Sequence, residues 1–163
     1  MQLVPIGVVH SPFREAADTP IQPCYAAETE GTVEVFPPFA DGLKDLAGFE
    51  RVWLVFWCHR ACEPKLTVVP YRDRVPHGLF ATRAPARPNP IGLSPVRLLG
   101  VQANLLRVAE SDILDGTPIL DIKPYVSEYD SYPGQRRGWL DLAGKSGERR
   151  VADNRFLQAT SES

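Results

Sequence analysis

Residues 78–94, which read GLFATRAPARPNPIGLS, decide what kind of fold this chain can adopt. The segment cannot be helical, because Pro85, Pro88 and Pro90 each lack a backbone N–H and each disfavours the α region in the residue before it. Asn89 lies between two of these prolines and is therefore held extended. Because proline has already restricted the unfolded chain, the segment loses little entropy when it becomes ordered. The sequence thus predicts a stiff, extended segment.

The same segment carries polar side chains that are suited to gripping an anion. Arg83 and Arg87 offer guanidinium forks, which bind a carboxylate or phosphate through two parallel hydrogen bonds. Asn89 adds an amide that both donates and accepts. Composition alone would favour a proline-rich surface turn with two solvated arginines. The apolar runs at 78–81 and 91–93 instead favour strand ends that hold a rigid site.

Short runs of β-branched and aromatic residues follow one another along the chain, separated by turns. They predict strands at 3–10, 32–36, 51–59, 66–69, 79–82, 93–101, 105–110 and 119–122, with helical turns at 41–47. Residues 51–59 are the most apolar and predict a central strand buried on both faces. Pro95 predicts a bulge or a sheet edge. Many short strands without helical periodicity predict an all-β sandwich or barrel.

The composition is that of one globular domain: the chain has 163 residues, of which 44% are hydrophobic and 23% charged. No apolar run reaches the roughly 18 residues of a membrane span, and the first residues lack the features of a secretory signal. Three cysteines, an odd number, favour a reducing compartment, so we expect a cytoplasmic protein. We expect the domain to occupy residues 1–143, followed by a polar, partly disordered tail at 144–163.

Charge is distributed unevenly along the sequence, although the net charge is only −2. Between residues 65 and 109, Asp73 is the only acid, whereas the cations are Lys65, Arg72, Arg74, Arg83, Arg87, Arg97 and Arg107. Such a basic middle region can bind an anion locally in a weakly acidic protein. The alternative is that these side chains are spread over several faces and merely solvated.

Two sequence blocks identify a family, and the first of them has two parts. Residues 80–83 (FATR), 87–94 (RPNPIGLS) and 115–125 (DGTPILDIKPY) are similar to the signature of the TsaA-like family, and the resemblance extends over about residues 4–125. It implies a small single-sheet β-barrel that binds S-adenosylmethionine. It further implies a tRNA methyltransferase acting on N6 of a threonylcarbamoyl-modified adenosine beside the anticodon, and a homodimer with the cofactor pocket near its interface.

The resemblance also implies which residues contact the cofactor: Gln22, Pro23, Cys24, His59, Arg60, Arg83, Leu93, Asp115, Gly116, Thr117 and Pro118. Glycine at position 116 fits this role, because a residue without a Cβ lets the backbone approach a ligand closely. Family members usually have an arginine before the glutamine and Pro-Gly after it. This chain instead has Ile21 and Cys24, which changes the loop shape or removes a substrate contact.

The methyl acceptor must lose a proton, and the candidate acceptors of that proton are Asp115, Asp121 and His59, which the sequence does not rank. The candidates for substrate binding are Arg87, Asn89, Lys123 and Tyr125. The phenol ring of Tyr125 can stack on a base. Asp121 and Lys123 share one face of a strand, so they can pair with each other or lie beside the reacting base. A nitrogen that carries a carbamoyl group gives up its proton readily, so a strong base is not required.

Two other classes of function fit parts of the sequence. The main alternative is a non-catalytic barrel that binds S-adenosylmethionine or a nucleotide and regulates another process. A weaker one is a hydrolase that uses His59 and Asp115. A dinucleotide-binding turn is excluded, because no Gly-x-Gly-x-x-Gly occurs. Cys58, His59 and Cys62 fall short of the four ligands that zinc prefers, so we expect no metal.

Overall fold

The computed structural model describes residues 2–26, 29–142 and 151–157. Within them the chain forms the strands β1 (Gly7–His10), β2 (Glu30–Val35), β3 (Arg51–Trp57), β4 (Thr67–Val68), β5 (His77–Gly78), β6 (Ile91–Gln102), β7 (Leu105–Ala109) and β8 (Pro118–Pro124). A single turn of α-helix, α1 (Ser127–Asp130), follows β8. Short 3-10 helices connect the strands, at Ala16–Asp18, Pro23–Tyr25, Pro37–Leu43, Leu46–Gly48, Leu79–Ala81, Gly138–Asp141 and Asn154–Phe156.

The strands close into one antiparallel barrel in the order β1-β2-β7-β6-β3-β8, while β4 and β5 form a separate two-stranded sheet. The predicted all-β barrel is therefore confirmed. Valines, leucines and isoleucines on the inner face of the strands form the core: Val9, Val33, Val35, Val52, Leu54, Val96, Leu98, Leu106, Val108 and Ile119 are all buried. Full burial of one such side chain contributes about 1.5–3 kcal/mol.

The most apolar strand, β3, lies between β6 and β8, as a central strand should. Its residues alternate, however: Val52 and Leu54 are fully buried in the barrel, whereas Trp53 and Val55 are only half-buried on the outer face. The prediction of burial on both faces is thus only partly right. In a barrel the inner face forms the core, and the outer face is covered only where loops pack on it.

Proline at position 95 is accommodated in β6 without a bulge. It pairs with Trp53 of β3, and the pairing of β6 with β7 begins only at Arg97. The backbone nitrogen of Pro95 therefore faces no partner strand, so the missing N–H costs no hydrogen bond. This matches the prediction that Pro95 lies where a sheet edge would be. The irregularity in this strand lies further along, between Leu98 and Gly100.

Two strand predictions need correction. Residues 79–82 form a 3-10 turn, because the Thr82 N–H and hydroxyl both donate to the Leu79 carbonyl and Leu79 is buried. The first strand begins at Gly7 rather than at residue 3, since Leu3 and Val4 are exposed and Pro5 has no N–H to donate. The predicted helical turns at 41–47 are confirmed, as 3-10 helices.

A second, smaller apolar cluster lies outside the barrel and consists of Val68, Leu79, Ala84, Ala86 and Phe156. Phe156 belongs to the stretch predicted to be a tail, yet residues 151–157 lie against the domain. The Cys62 N–H donates to the Phe156 carbonyl, and the Ala152 N–H donates to Thr19. Residues 151–157 of the predicted tail are therefore packed against the domain, and the partial disorder expected for the tail stays a prediction. Residues 143–150 and 158–163 lie outside the described residues, and the domain limit at 143 stays a prediction.

Candidate functional site

A cavity of about 380 Å³ opens beside the end of β3 and the beginning of β6. Its wall also includes connecting segments from 16–22, 82–87, 112–117 and 152–157. Residues far apart in the sequence meet here: the cavity is lined by Gln22, His59, Arg60, Arg83, Leu93 and Thr117, all of which were predicted to contact the cofactor, and by Arg87.

The proline-rich loop forms one wall of this cavity and is held rigidly, as predicted. Arg87 donates through Nη1 to the carbonyls of Thr82 and Ala84, at 3.1 and 3.3 Å, and its guanidinium lies over the Phe80 ring. Ala86 is fully buried beneath it. Arg87 thus uses one guanidinium nitrogen to brace its own loop while it lines the cavity.

Arg83 extends from this loop across the cavity to the 16–22 segment. Its Nη1 donates to Gln22 Oε1 at 2.7 Å, and Gln22 Nε2 donates to the Ile21 carbonyl. Among the described residues, no carboxylate lies within ion-pair distance of Arg83. The guanidinium therefore keeps donors available for an anionic ligand. Of the neighbouring residues, Pro23 is buried at the start of a 3-10 helix and Cys24 is exposed on it.

A second cavity, of about 530 Å³, shares the Gln22–Arg83 pair with the first. Its other lining residues include Arg72, Phe80 and Trp139. The indole of Trp139 stacks on His77 and donates through Nε1 to the Ala81 carbonyl, so the residues after α1 do dock back onto the domain. Aromatic rings and arginines around one space are suited to a flat, anionic ligand.

His59 and Arg60 directly follow β3 at the cavity wall. Burial lowers the pKa of His59 below its ordinary value, and the nearby Arg60 charge lowers it further, against a smaller rise from the hydrogen bond with Trp57. The imidazole is therefore neutral at pH 7. Arg60 donates to the Arg14 carbonyl at 2.8 Å and lies 3.9 Å from Glu15.

Of the four residues in the Asp-Gly-Thr-Pro turn that leads into β8, Thr117 is the one that lines the cavity. Asp115 is not among the residues that line the cavity: its carboxylate accepts from the Ser11 N–H at 3.0 Å, and its own N–H donates to the Phe13 carbonyl. Gly116 adopts a φ of +74°, which glycine tolerates best. Asp115 and Gly116 thus shape the turn, and Pro118 pairs with β1.

Asp121, a predicted proton acceptor, lies on the outer face of the barrel together with Lys123 and Tyr125, which were predicted to bind the substrate. Asp121 and Lys123 are paired at 2.8 Å, and they stand opposite Val55 and Trp53 of β3. The ring of Tyr125 meets that of Trp53 at 5.4 Å between centroids. Trp53 lines the first cavity, so this outer face is continuous with it. Asn89 is exposed, and its carbonyl accepts from the Ile91 N–H.

Sequence reasoning missed Asp112, which lines the cavity between β7 and β8. The Ser94 hydroxyl donates to Asp112 Oδ1 at 2.7 Å. Burial raises the pKa of Asp112 to about 6, although the Ser94 bond and the Arg83 charge lower it. Burial and the Asp112 charge raise the pKa of the Cys58 thiol to about 11, so it stays protonated. The only signal in the sequence is a polar pair, Ser111–Asp112, directly after an apolar strand.

Neither a metal site nor a membrane span was found in the parts of the chain that the structure describes. No group of three or more His, Cys, Asp or Glu side chains is placed to hold a metal ion within 2–26, 29–142 and 151–157. Over the same ranges, no helix is long and apolar enough to cross a membrane.

A closed antiparallel barrel with an arginine-lined side cavity, and without a glycine-rich dinucleotide turn, defines a class of small ligand-binding β-barrel domains. The chain belongs to the family described as the tRNA-methyltransferase O N-terminal domain, whose model matches residues 8–131. The TsaA-like resemblance of the sequence is thereby confirmed.

Relatives in archaea and bacteria are similar over most of the chain. A probable S-adenosyl-L-methionine-binding protein of Pyrococcus abyssi is 53% identical over 94% of this chain and 83% of its own length. The tRNA (adenine(37)-N6)-methyltransferase of Escherichia coli K12 is 37% identical over 87% of this chain and 65% of its own.

Solved structures share the fold. The crystal structure of TrmO from Pseudomonas aeruginosa matches with a TM-score of 0.71 at 41% identity, over 85% of this chain. A second crystal structure of TrmO matches with a TM-score of 0.74 at 44% identity, again over 85% of this chain. The match spans only 62% and 63% of those two chains.

Proposed function

We propose that this protein binds S-adenosylmethionine in the first cavity and transfers its methyl group to N6 of a threonylcarbamoyl-modified adenine in tRNA. The observation that carries the proposal is convergence: Gln22, His59, Arg60, Arg83, Leu93 and Thr117 come from separate segments and line one cavity. The name of the Escherichia coli relative, a tRNA (adenine(37)-N6)-methyltransferase, supports the reaction. The names of the archaeal relatives support the cofactor.

The residues present fit this cofactor. Arg83 makes no ion pair within the described chain and is therefore suited to hold the cofactor's carboxylate, and Gln22 fixes its position. Leu93, Phe56 and Ile113 supply apolar wall. Asp115 and Gly116 act indirectly, by shaping the turn that presents Thr117. When bound, the cofactor supplies an activated methyl group, so the protein has only to align the acceptor and manage its proton.

We place the acceptor nucleotide at the junction of the two cavities, beside Arg83. Arg72 is suited to hold its anionic substituent, and Phe80 and Trp139 are suited to stack on its base. The outer barrel face carrying Lys123 and Tyr125, together with the loop carrying Arg87 and Asn89, would contact neighbouring nucleotides of the same tRNA loop.

We also infer a homodimer and a cytoplasmic location. Ile91 and Leu93 are exposed at the cavity rim, 38% and 53% respectively, and would be covered by a second copy. The free cysteines Cys24, Cys58 and Cys62 suit a reducing compartment, where tRNA is modified. Light scattering at micromolar concentrations should report twice the mass of one chain, and a monomer throughout contradicts the dimer.

The proposed function is tested in two stages with the purified protein. Calorimetry with S-adenosylmethionine should first show binding. The protein is then mixed with labelled cofactor and tRNA that carries or lacks the threonylcarbamoyl group, and label should appear only in the modified tRNA. Cofactor binding without label in any tRNA contradicts the enzyme and favours the regulatory barrel instead.

A further inference from the structure

One carboxylate in the cavity wall is neither paired with a cation nor used to cap a helix. Asp112 is half-buried, and the hydrogen bond from Ser94 Oγ is the sole one that its carboxylate receives from another residue of the described chain. Ser94 is 3% exposed and sits in β6 opposite Leu54 of β3, so this donor is rigidly placed. One carboxylate oxygen is thus fixed from behind, which leaves the other oxygen able to meet a ligand.

The competing acids are occupied. Asp153, which also lines the cavity, is held by two guanidinium nitrogens of Arg155 at 2.7–2.8 Å and caps the 3-10 helix that follows it. Asp115 is turned toward the Ser11 N–H, and Asp121 is paired with Lys123. Neither Asp115 nor Asp121 lines the cavity, and Asp153 would have to break its ion pair with Arg155 before it could accept a proton from a substrate.

We propose that Asp112 is the catalytic base of the proposed methyl transfer and takes the proton from the acceptor nitrogen. This role rests on the function proposed above. As the nitrogen lone pair forms the new N–CH3 bond, the C–S bond of the cofactor breaks and its electron pair stays on sulfur, giving a neutral thioether. The N–H electrons remain on nitrogen, the proton passes to Asp112, and Asp112 later releases it to water. Atoms and charge balance without any further reactant.

The electrostatic surroundings suit this task. With a pKa raised to about 6, Asp112 is ionised at neutral pH yet is more basic than an exposed aspartate, and general bases work best when their pKa is near the operating pH. The groups that face it are the Ser94 hydroxyl and the Arg83 guanidinium, which favour its charged form, and the Cys58 thiol, which stays protonated. The charge of Arg87 lowers the pKa of Cys58, and His59, on the same wall, is neutral.

The test combines kinetics and binding for three cavity variants and one control. Asp112→Asn keeps the acceptor for Ser94 but cannot take the proton, so kcat should fall by about 10²–10⁴-fold while the calorimetric Kd for S-adenosylmethionine changes little. Asp112→Glu should recover part of the activity. Glu30→Gln, which removes an exposed carboxylate paired with Arg107 on β7, should behave like the parent.

The pH profile separates a base from a structural residue. In the parent, kcat should fall on the acid side as Asp112 is protonated. Because the Ser94 hydrogen bond lowers the pKa of Asp112, Ser94→Ala should move this fall to higher pH. An Asp112→Asn variant with near-parental kcat, or one that fails to bind the cofactor, overturns the role, as does an unmoved profile in Ser94→Ala. A parent protein that methylates no tRNA overturns the proposed function itself.

Discussion

At the scale of single residues, the hydrogen bond of 2.7 Å between Arg83 and Gln22 joins two segments that are 61 positions apart. If Arg83 holds the carboxylate of the cofactor, Arg83→Ala removes a charge-assisted bond, which typically contributes about 1.5–3 kcal/mol. Calorimetry should then show S-adenosylmethionine binding at least about tenfold more weakly, with the fold intact by circular dichroism.

Arg107→Ala is the matched control for this substitution, because it removes an exposed arginine that pairs with Glu30 away from the cavity. Its affinity for the cofactor should equal that of the parent. Equal affinities for all three proteins would show that Arg83 makes no contact with the cofactor.

The raised pKa of Asp112 also predicts a dependence of stability on pH. Its pKa is raised from 3.8 to about 6 in the folded protein, so its contribution to stability is fully present below a pH of about 4 and is lost as pH rises through about 6. The uncharged Asp112→Asn variant should therefore melt at a higher temperature than the parent at about pH 7.5, and this advantage should vanish near about pH 4. A melting difference that is the same at both pH values contradicts the raised pKa.

Residues whose position follows from short motifs could be found from the sequence alone. Arg83 and Leu93 belong to one motif block and Thr117 to another, and all three line the cavity. Asp112 could not be found in this way, because its environment depends on Ser94, which is 18 positions away and reaches it only after β6 and β7 have paired. The direction of Asp115 depends likewise on Ser11, 104 positions away.

At the scale of the element, β6 is matched closely to β3 at the edge of the cavity. A Cβ on Gly92 would collide with the ring of Phe56, which packs against the core and lines the cavity. Gly92→Ala should therefore reduce the free energy of unfolding by about 1–3 kcal/mol, since overpacking forces neighbouring side chains aside. Gly100→Ala in the same strand is the control, because no atom lies within 4 Å of its new Cβ. Urea unfolding measures the free energy of unfolding of both variants. If both lose the same amount, the change in strand propensity, and not the collision with Phe56, accounts for the loss.

Elements that depend on local pattern were predictable, whereas those that depend on distant contacts were not. Alternating apolar residues located most barrel strands, because each strand buries one face in the same core. Residues 79–82 and 151–157 carry no such pattern. Leu79 and Phe156 are both buried in the second cluster, which brings distant parts of the chain together. The Phe156 ring also packs edge-on against the Tyr71 ring, with 5.3 Å between their centroids. Neither stretch alternates apolar and polar residues, so neither gives a periodic signal of this kind.

At the scale of the whole molecule, closure of the barrel changes the argument for a dimer. Open sheet edges would favour pairing with a second copy, but six strands that close on themselves leave no edge in the barrel. Exposed apolar side chains at the cavity rim are the remaining structural reason to expect a partner copy. Closure itself could not be deduced from strand patterns, because a sandwich and a barrel share the same alternation.

Two groups of cations differ in whether they are paired with acids. Those on the barrel strands are paired with acids: Arg51 and Arg97 with Glu110, Arg107 with Glu30, and Lys123 with Asp121. The arginines between residues 70 and 90 have no carboxylate within ion-pair distance among the residues that the structure describes; they are Arg72, Arg74, Arg83 and Arg87. The uneven charge of the sequence thus leaves these four arginines, here called the cationic face, without ion pairs, and three of them line the two cavities.

This cationic face predicts how tRNA binding depends on salt. Each phosphate that the face neutralises releases a counterion, so the logarithm of the binding constant should fall linearly with the logarithm of salt concentration, by about 0.7 per contact for single-stranded RNA. Arg74→Gln, which removes an exposed charge on this face outside the cavity linings, should lower the magnitude of that slope by about 0.7. Arg107→Gln, on a paired arginine of the barrel, should leave it unchanged. Filter binding over a range of salt concentrations measures the slope for the three proteins. If both variants reduce it equally, the tRNA is attracted by the overall charge and not by the face beside the cavities.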